Sequence, residues 1–321
     1  FLYELGWFLF SMASPDAFDE DGNIIKAIGT GPYKEDLWVP DEKMILIRND
    51  RYWGKRPRVQ KIILKNIPDP ATRIMALQTA EIDMIIDYGG ILPDDVGLLE
   101  RNPNIQVLQR SQSTSHYLVL NCKIQPFSDP NVRKALLYAF DKSAIINNLL
   151  HAGKVASSII TSDVEDWHHD ACGAMYDLDR AKALLKKSGW IDRNADGILD
   201  KEGQSFHVVL LLTTHQVRMG PDKIIAEHIQ EKLRSLGIKA SIQVLEKGAY
   251  YAKVGRGENH HILLASYPFL GPNNVLYRSF HSEGDWNKRG SFYFNEEMNS
   301  LLDLGKKTMD TQKRKRIYKK S

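Results

Sequence analysis

The chain has 321 residues, 43% hydrophobic and 26% charged, a composition that fits a soluble globular protein of one large or two medium domains. Its formal net charge is +3, yet setting aside Lys313, Arg314, Lys315, Arg316, Lys319 and Lys320 leaves 37 basic against 40 acidic side chains, a body of −3. With the excess confined to one run and no interleaved basic–aromatic groove, nucleic-acid binding is excluded, and KRKR reads as one solvated helix face.

The apolar start, FLYELGWFLFSMA, carries Glu4 and no preceding basic residue. It is too short to span a bilayer and wrongly flanked for a signal peptide. The first residue is not Met and the last ones fall inside a helical pattern, so the chain is expected to be the middle of a longer protein. Residues 14–33, rich in Gly, Pro and Asp, predict a long connection ending in a tight turn. MILIRN (44–49) and VQKIILKNI (59–67) predict strands. ATRIMALQTA predicts a short helix with Ile74, Ala76, Leu77 and Ala80 on one apolar face. IDMII (82–86) reads as a buried strand, DDVGLLERN as a helix and IQVLQ as a strand. From His116 the pattern restarts: YLVLN as a strand, two helices across 121–145 meeting at the N-cap Asp141, then an Asp- and His-rich loop (161–176) and the helix YDLDRAKALLKKSGW. FHVVLLLT (206–213), ASIQVL (240–245) and HILLASY (261–267) read as strands separated by helices at 221–236 and AYYAKVGRG. Strand–helix alternation of this kind argues for an α/β layered fold.

Asp192, Asn194, Asp196 and Asp200 place oxygen ligands at alternate positions with Gly197 sixth, like the first half of a calcium loop. Gly203 stands where a bidentate Glu is required, so the alternatives are a structural calcium and a metal-free Asx turn. Ten histidines include the pairs His168-His169 and His260-His261, none at helical ligand spacing, and His228, which faces the apolar side of its helix. Cys122 and Cys172 are compatible with a disulfide or with free thiols. Arg73 lies near Glu81 and Asp83, which favours an ion pair. No nucleophile elbow, H-E-x-x-H or Cys–His constellation is present, so catalysis is not expected.

Residues 121–142 resemble the segment N-x-x-x-x-P-F-x-D-x-x-V-R-x-A-x-x-Y-A-x-D-K of the family 5 extracellular solute-binding proteins. IGTGPY (28–33), NDRYWGKRP (49–57), IPDPATRIMALQTAEIDM (67–84) and YDLDRAKALLKKSGW (176–190) are similar to further landmarks of that family, in the family's order. The resemblance implies an α/β, two-lobed periplasmic-binding-protein-like fold (type II, cluster C-like) with mixed sheets, incomplete at both ends. Residues 1–113 would form part of the first lobe with a remnant of a smaller domain, and 114–321 the second lobe, hinged at Ser111–His116. It also implies the substrate-binding component of an ABC importer, a monomer, periplasmic or at the cell surface and in some cases lipid-anchored. Such a protein would bind nickel, a metal chelate or a short peptide reversibly and deliver it to a membrane permease. A chemoreceptor-type sensor on the same fold is the alternative, and no cofactor is required.

Among relatives, ligand choice rests on the strand ending near residue 267 and on the segment after it. Peptide-binding members place there a Trp and an Asp that holds the peptide ammonium. Here Tyr267 stands near the Trp position, and no carboxylate occurs between His261 and Phe280. A buried ammonium without a counter-charge is costly. Nickel-type members use aromatic and Arg contacts and a nearby histidine, which points to Tyr267, Asn273, Asn274, Arg278 and His281 as the ligand-binding set.

Overall fold

A computed structural model describes residues 12–86, 91, 93–109, 114–151, 153–162, 164, 167–170, 175–219, 221–255, 260–268 and 271–320. The chain divides into two compact units, Phe1–Leu92 and Pro93–Ser321. The apolar N-terminal run to residue 11, Cys172 and residues 110–113 of the expected hinge lie outside the described residues.

In the first unit an antiparallel meander is built from β1 (Tyr33–Val39), β2 (Lys43–Arg48) and β3 (Lys61–Lys65). Two landmarks of the sequence meet here. Asn49, at the end of β2, donates through Nδ2 to the Gly31 carbonyl (3.1 Å) and through its backbone N–H to that of Pro32 (2.8 Å). These bonds fix the turn that feeds β1. Cross-strand pairs lie on one face, so Leu37, Ile45 and Ile63 share one side and Trp38, Met44 and Leu64 the other. Both faces are therefore apolar, and both stay open, with Trp38 60% and Ile63 51% exposed.

Helix α1 (Pro70–Gln78) starts where the chain dictates: the Asp69 carboxylate accepts from the Thr72 N–H (2.8 Å) and Pro70 occupies the first turn. It buries Ile74 and Ala76. Arg73 does not seek the acids after the helix. Its Nη1 donates to the carbonyls of Ile67 (2.6 Å) and Pro68 (3.1 Å), while Lys65 pairs with Glu81 at 3.0 Å. The predicted strand IDMII is not one: residues 81–86 form bends and coil, with Met84 and Ile86 about as exposed as a surface residue. An apolar run without a neighbouring strand has no ladder to join.

The second unit opens with α2 (Pro93–Glu100); IQVLQ beyond it is coil with Leu108 exposed, again without a ladder. Next come β4 (Thr114–Leu120), α3 (Pro130–Ala139), an α-turn at Lys142–Ala144 running on as a π-helix (Ile145–Leu150), and α4 (Leu178–Lys187). Asp141 caps the α-turn as expected, accepting from the Ala144 N–H at 2.9 Å. Helix α3 repeats the α1 design. Asp129 accepts from the Asn131 N–H (2.8 Å), Pro130 follows, and Arg133 Nη1 reaches back to the carbonyls of Phe127 (2.7 Å) and Ser128 (3.2 Å). After the hairpin β5 (Asp200–Lys201) and β6 (Gln204–Ser205), β7 (His207–Thr213) leads through α5 (Thr214–Met219) to α6 (Asp222–Ser235), β8 (Lys239–Leu245), α7 (Lys247–Gly255) and β9 (Ile262–Pro268).

The sheet runs β4-β9-β7-β8, with β7 parallel to β8 and β9 and only β4 antiparallel, so it is mixed. Its two faces are both covered. Val208, Leu210, Leu212, Ile262 and Leu264 pack with α3, α4 and α6, and Leu211 and Leu263 pack with Tyr250 and Val254 of α7. Near-continuous apolar strands such as VVLLL are the expected signature of a sheet buried on both sides.

The chain ends in α8 (Pro272–Phe280), a π-turn (Asn287–Ser291), α9 (Glu296–Lys307) and α10 (Thr311–Tyr318). These enclose a smaller core of Ile160, Trp167, Leu276 and Leu302. The basic run is not one solvated face: Arg314 and Lys315 turn inward over the Trp167 ring, at 5.3 and 5.7 Å from its centre. Among the described residues, no helix is long and apolar enough to cross a membrane.

Candidate functional site

The carboxyl ends of β7, β8 and β9 share one edge of the sheet, the side where open α/β sheets bind ligands. Strand β9 delivers Tyr267 to this edge, paired with Ser115 of β4; its side chain lies outside the described residues. Helix α8 comes directly after. Gly271 takes φ +112° ahead of it, a conformation open to Gly, and Pro272 starts the first turn. Asn273 and Asn274 come next, and the amide oxygen of each is buried without a hydrogen-bond partner. An unpaired buried acceptor is costly, which makes this turn the least satisfied part of the helix.

Arg278 and His281 lie further along and are engaged. Arg278 Nε and Nη2 donate to Asp285 Oδ1 and Oδ2 at 2.6 and 2.5 Å, and the guanidinium stacks 4.0 Å above Trp286. These hydrogen bonds hold the Asp285 carboxyl below its ordinary range. His281 ends α8, and its N–H donates to the Tyr277 carbonyl at 3.0 Å. Its ring stacks on Tyr277 at 4.2 Å and 10°, Nδ1 accepts from the Glu283 N–H (3.0 Å), and Nε2 lies 3.6 Å from Asp303. Lys306 Nζ stands 4.3 Å over the Tyr277 ring, and burial pushes the Tyr277 phenol up. Tyr277, Asp285 and Trp286 were not singled out in the sequence. The one usable signal was an acid seven residues after Arg278 with Gly284 between.

The loop after α4 closes on itself. Asp192 Oδ2 accepts from the Gly197 N–H (3.0 Å), Asp196 Oδ1 from Ile198 N–H (2.7 Å), and Asp196 Oδ2 from Asn194 Nδ2 (2.9 Å). Asp200 is turned to Arg193, which donates from its backbone N–H to Oδ2 (3.0 Å) and from Nη1 to Oδ1 (2.6 Å) and holds the carboxyl low. Asp192 Oδ1 alone is buried without a partner. Among the described residues, no group of three or more His, Cys, Asp or Glu is arranged to hold a metal ion.

The histidine pairs are structural elements of the fold. His260 is fully buried with Nε2 3.2 Å from the Gly290 carbonyl, and His261 Nδ1 accepts from the Val209 N–H at 3.0 Å. Burial lowers the His261 pKa to about 4 and lowers that of the half-buried His228 as well. His168 Nδ1 meets the Ile160 carbonyl (2.6 Å) and its Nε2 lies 3.2 Å from Asp170. Cys122 is a half-buried free thiol, 3.5 Å from the Leu120 carbonyl and raised in pKa by burial.

Across residues 1–288 the chain matches the model of the bacterial extracellular solute-binding proteins, family 5, and it belongs to that family, whose members are binding proteins of ABC transporters and not enzymes. The nickel-binding periplasmic protein of Escherichia coli K12 is 33% identical over 257 residues, 76% of this chain and 47% of the relative. Among solved structures, NikA from Brucella suis in complex with Fe(III)-EDTA aligns with a TM-score of 0.84 at 25% identity, covering 96% of this chain and 63% of that one. A periplasmic binding protein, DppA from Helicobacter pylori in complex with the peptide STSA, gives 0.80 at 30% identity, covering 100% and 61%. The chain thus spans about half the length of the curated relatives it matches. The two-lobed fold of these binding proteins is the one to which it belongs.

Proposed function

We propose that the chain is the central portion of an extracytoplasmic binding protein that captures a metal chelate, nickel foremost, and hands it to an ABC permease. Residues 1–113 serve the first lobe and 114–321 the second, in a monomer held in the periplasm or at the cell surface. The observation that carries the ligand choice is the fate of the carboxylates around α8. None lies in residues 262–279, and the next two along the chain are occupied, Glu283 by Lys288 (2.5 Å) and Asp285 by Arg278. No free counter-charge remains there for a peptide ammonium. Rings and neutral amides suit a chelate, so Tyr267 and the unpaired amides of Asn273 and Asn274 make the direct contacts. Arg278 and His281 hold the shape of the site. The loop at Asp192–Asp200 is a hydrogen-bonded turn, its Asp200 spent on Arg193.

Calorimetry on the full-length protein tests this with nickel plus free histidine against an alanine dipeptide. Heat is expected with nickel–histidine, weakened about tenfold or more by Tyr267→Ala, about 1.4 kcal/mol. Heat with the dipeptide alone would overturn the ligand choice.

A further inference from the structure

The outer face of α10 is a concentrated positive surface, with no acidic partner among the described residues. Lys313, Arg316, Lys319 and Lys320 are all exposed, and Lys313, Arg316 and Lys320 succeed one another at helical spacing on one side. None of the four lies within ion-pair distance of a carboxylate among the described residues, and Thr311–Tyr318 with the two lysines after it contains no acid. The inner side is pinned, with Arg314 and Lys315 over Trp167 and the Tyr318 ring packed against Gly305, where an added Cβ would meet it. The cations therefore cannot swing the helix round to find acids.

Helix stability explains only part of this pattern. Cations favour the last turn, where Lys315 and Arg316 sit, but Lys313 lies in the first turn, against the macrodipole. On α9 and in the link to α10, Leu304 and Met309 are 53% and 90% exposed. Cations with a few outward apolar side chains, on an otherwise acidic body, match the chemistry of an anionic lipid surface.

We infer that this face docks on a membrane leaflet bearing anionic headgroups, independently of the ligand bound. Each basic side chain facing such a leaflet raises partitioning about fivefold, so the four act together to give on the order of several hundredfold. The attraction falls as salt rises.

Co-sedimentation of the full-length protein with vesicles of phosphatidylcholine containing about a third phosphatidylglycerol tests this, against pure phosphatidylcholine. Binding is expected to the anionic vesicles alone, to weaken with salt, and to drop about a hundredfold or more in the variant with Lys313, Arg316, Lys319 and Lys320 all changed to Gln. A control changing Lys55, Arg56 and Arg58 to Gln lowers net charge elsewhere and should bind nearly as well as the parent. Circular dichroism checks that both variants are folded. Failure of the parent to bind anionic vesicles, equal binding to both lipids, or equal loss in the control would each overturn the inference.

Discussion

The two sheets are built from equally apolar strands and live in opposite surroundings. In β4-β9-β7-β8 both faces are closed by helices, and Val208, Leu210 and Leu212 have no exposure. In β1-β2-β3 both faces carry Leu, Ile, Trp and Met, and among the described residues Leu37, Trp38, Ile63 and Leu64 stay exposed. Strand composition thus reports what a sheet can bury; the elements packed on it decide what it does bury.

Cavity formation gives the widest separation between them. Leu210→Ala should cost about 3 kcal/mol, because nothing can collapse onto the vacated space between α3 and α6, whereas Ile63→Ala, half exposed, should cost under about 1 kcal/mol. Urea unfolding of both variants measures this, and equal losses would erase the contrast. A second, smaller effect belongs to the covered sheet alone. His261 accepts a backbone hydrogen bond at the start of β9 and titrates near 4 in the fold against 6.5 unfolded. Between those values the unfolded chain takes up the proton first. Stability should therefore be level above pH 6.5 and fall by about 2 kcal/mol on descent to pH 4, discounting for partial exposure. In His261→Asn that slope should be shallower in melts across this range. The smallest contrast lies in the two matched helix starts. Arg133→Met should cost about 1 kcal/mol and Arg73→Met about half that, since the α3 face is buried more completely than that of α1. Differential scanning calorimetry would resolve the pair, and a reversed order would show that burial does not set the worth of the clasp.

Much of the covered sheet was legible because its strands carry apolar runs such as VVLLL and ILLA and the helices between them are bounded by caps: Asp141, Asp177 and Gly237 fall where the helices begin and end. Strand β1 was missed because the register slips between Glu35 and Leu37, which breaks its alternation. IDMII and IQVLQ failed for the opposite reason, having the composition of strands but no partner strand among the described residues. At the candidate site, the segment 267–281 was named from sequence, but the partners its side chains take within the fold were not. The Arg278–Asp285 pair and the Tyr277–His281 stack form across a helix end, and the cover of Trp167 by Arg314 joins residues far apart in the chain. Linear spacing carries no record of the Trp167 contact, and only a faint one, an acid seven residues on, of the Arg278–Asp285 pair.

Strand β4 runs against β9 through seven paired residues, from Thr114 opposite Pro268 to Leu120 opposite Ile262. The polypeptide therefore enters this sheet at the same rim where Tyr267 leaves it. A hydrogen-bonded ladder is stiff along its strands, so tension applied at Thr114 is felt at Pro268 with almost no slack between them. Whatever fixes the start of β4 therefore also fixes the carboxyl end of β9, which lies one cross-strand pair away.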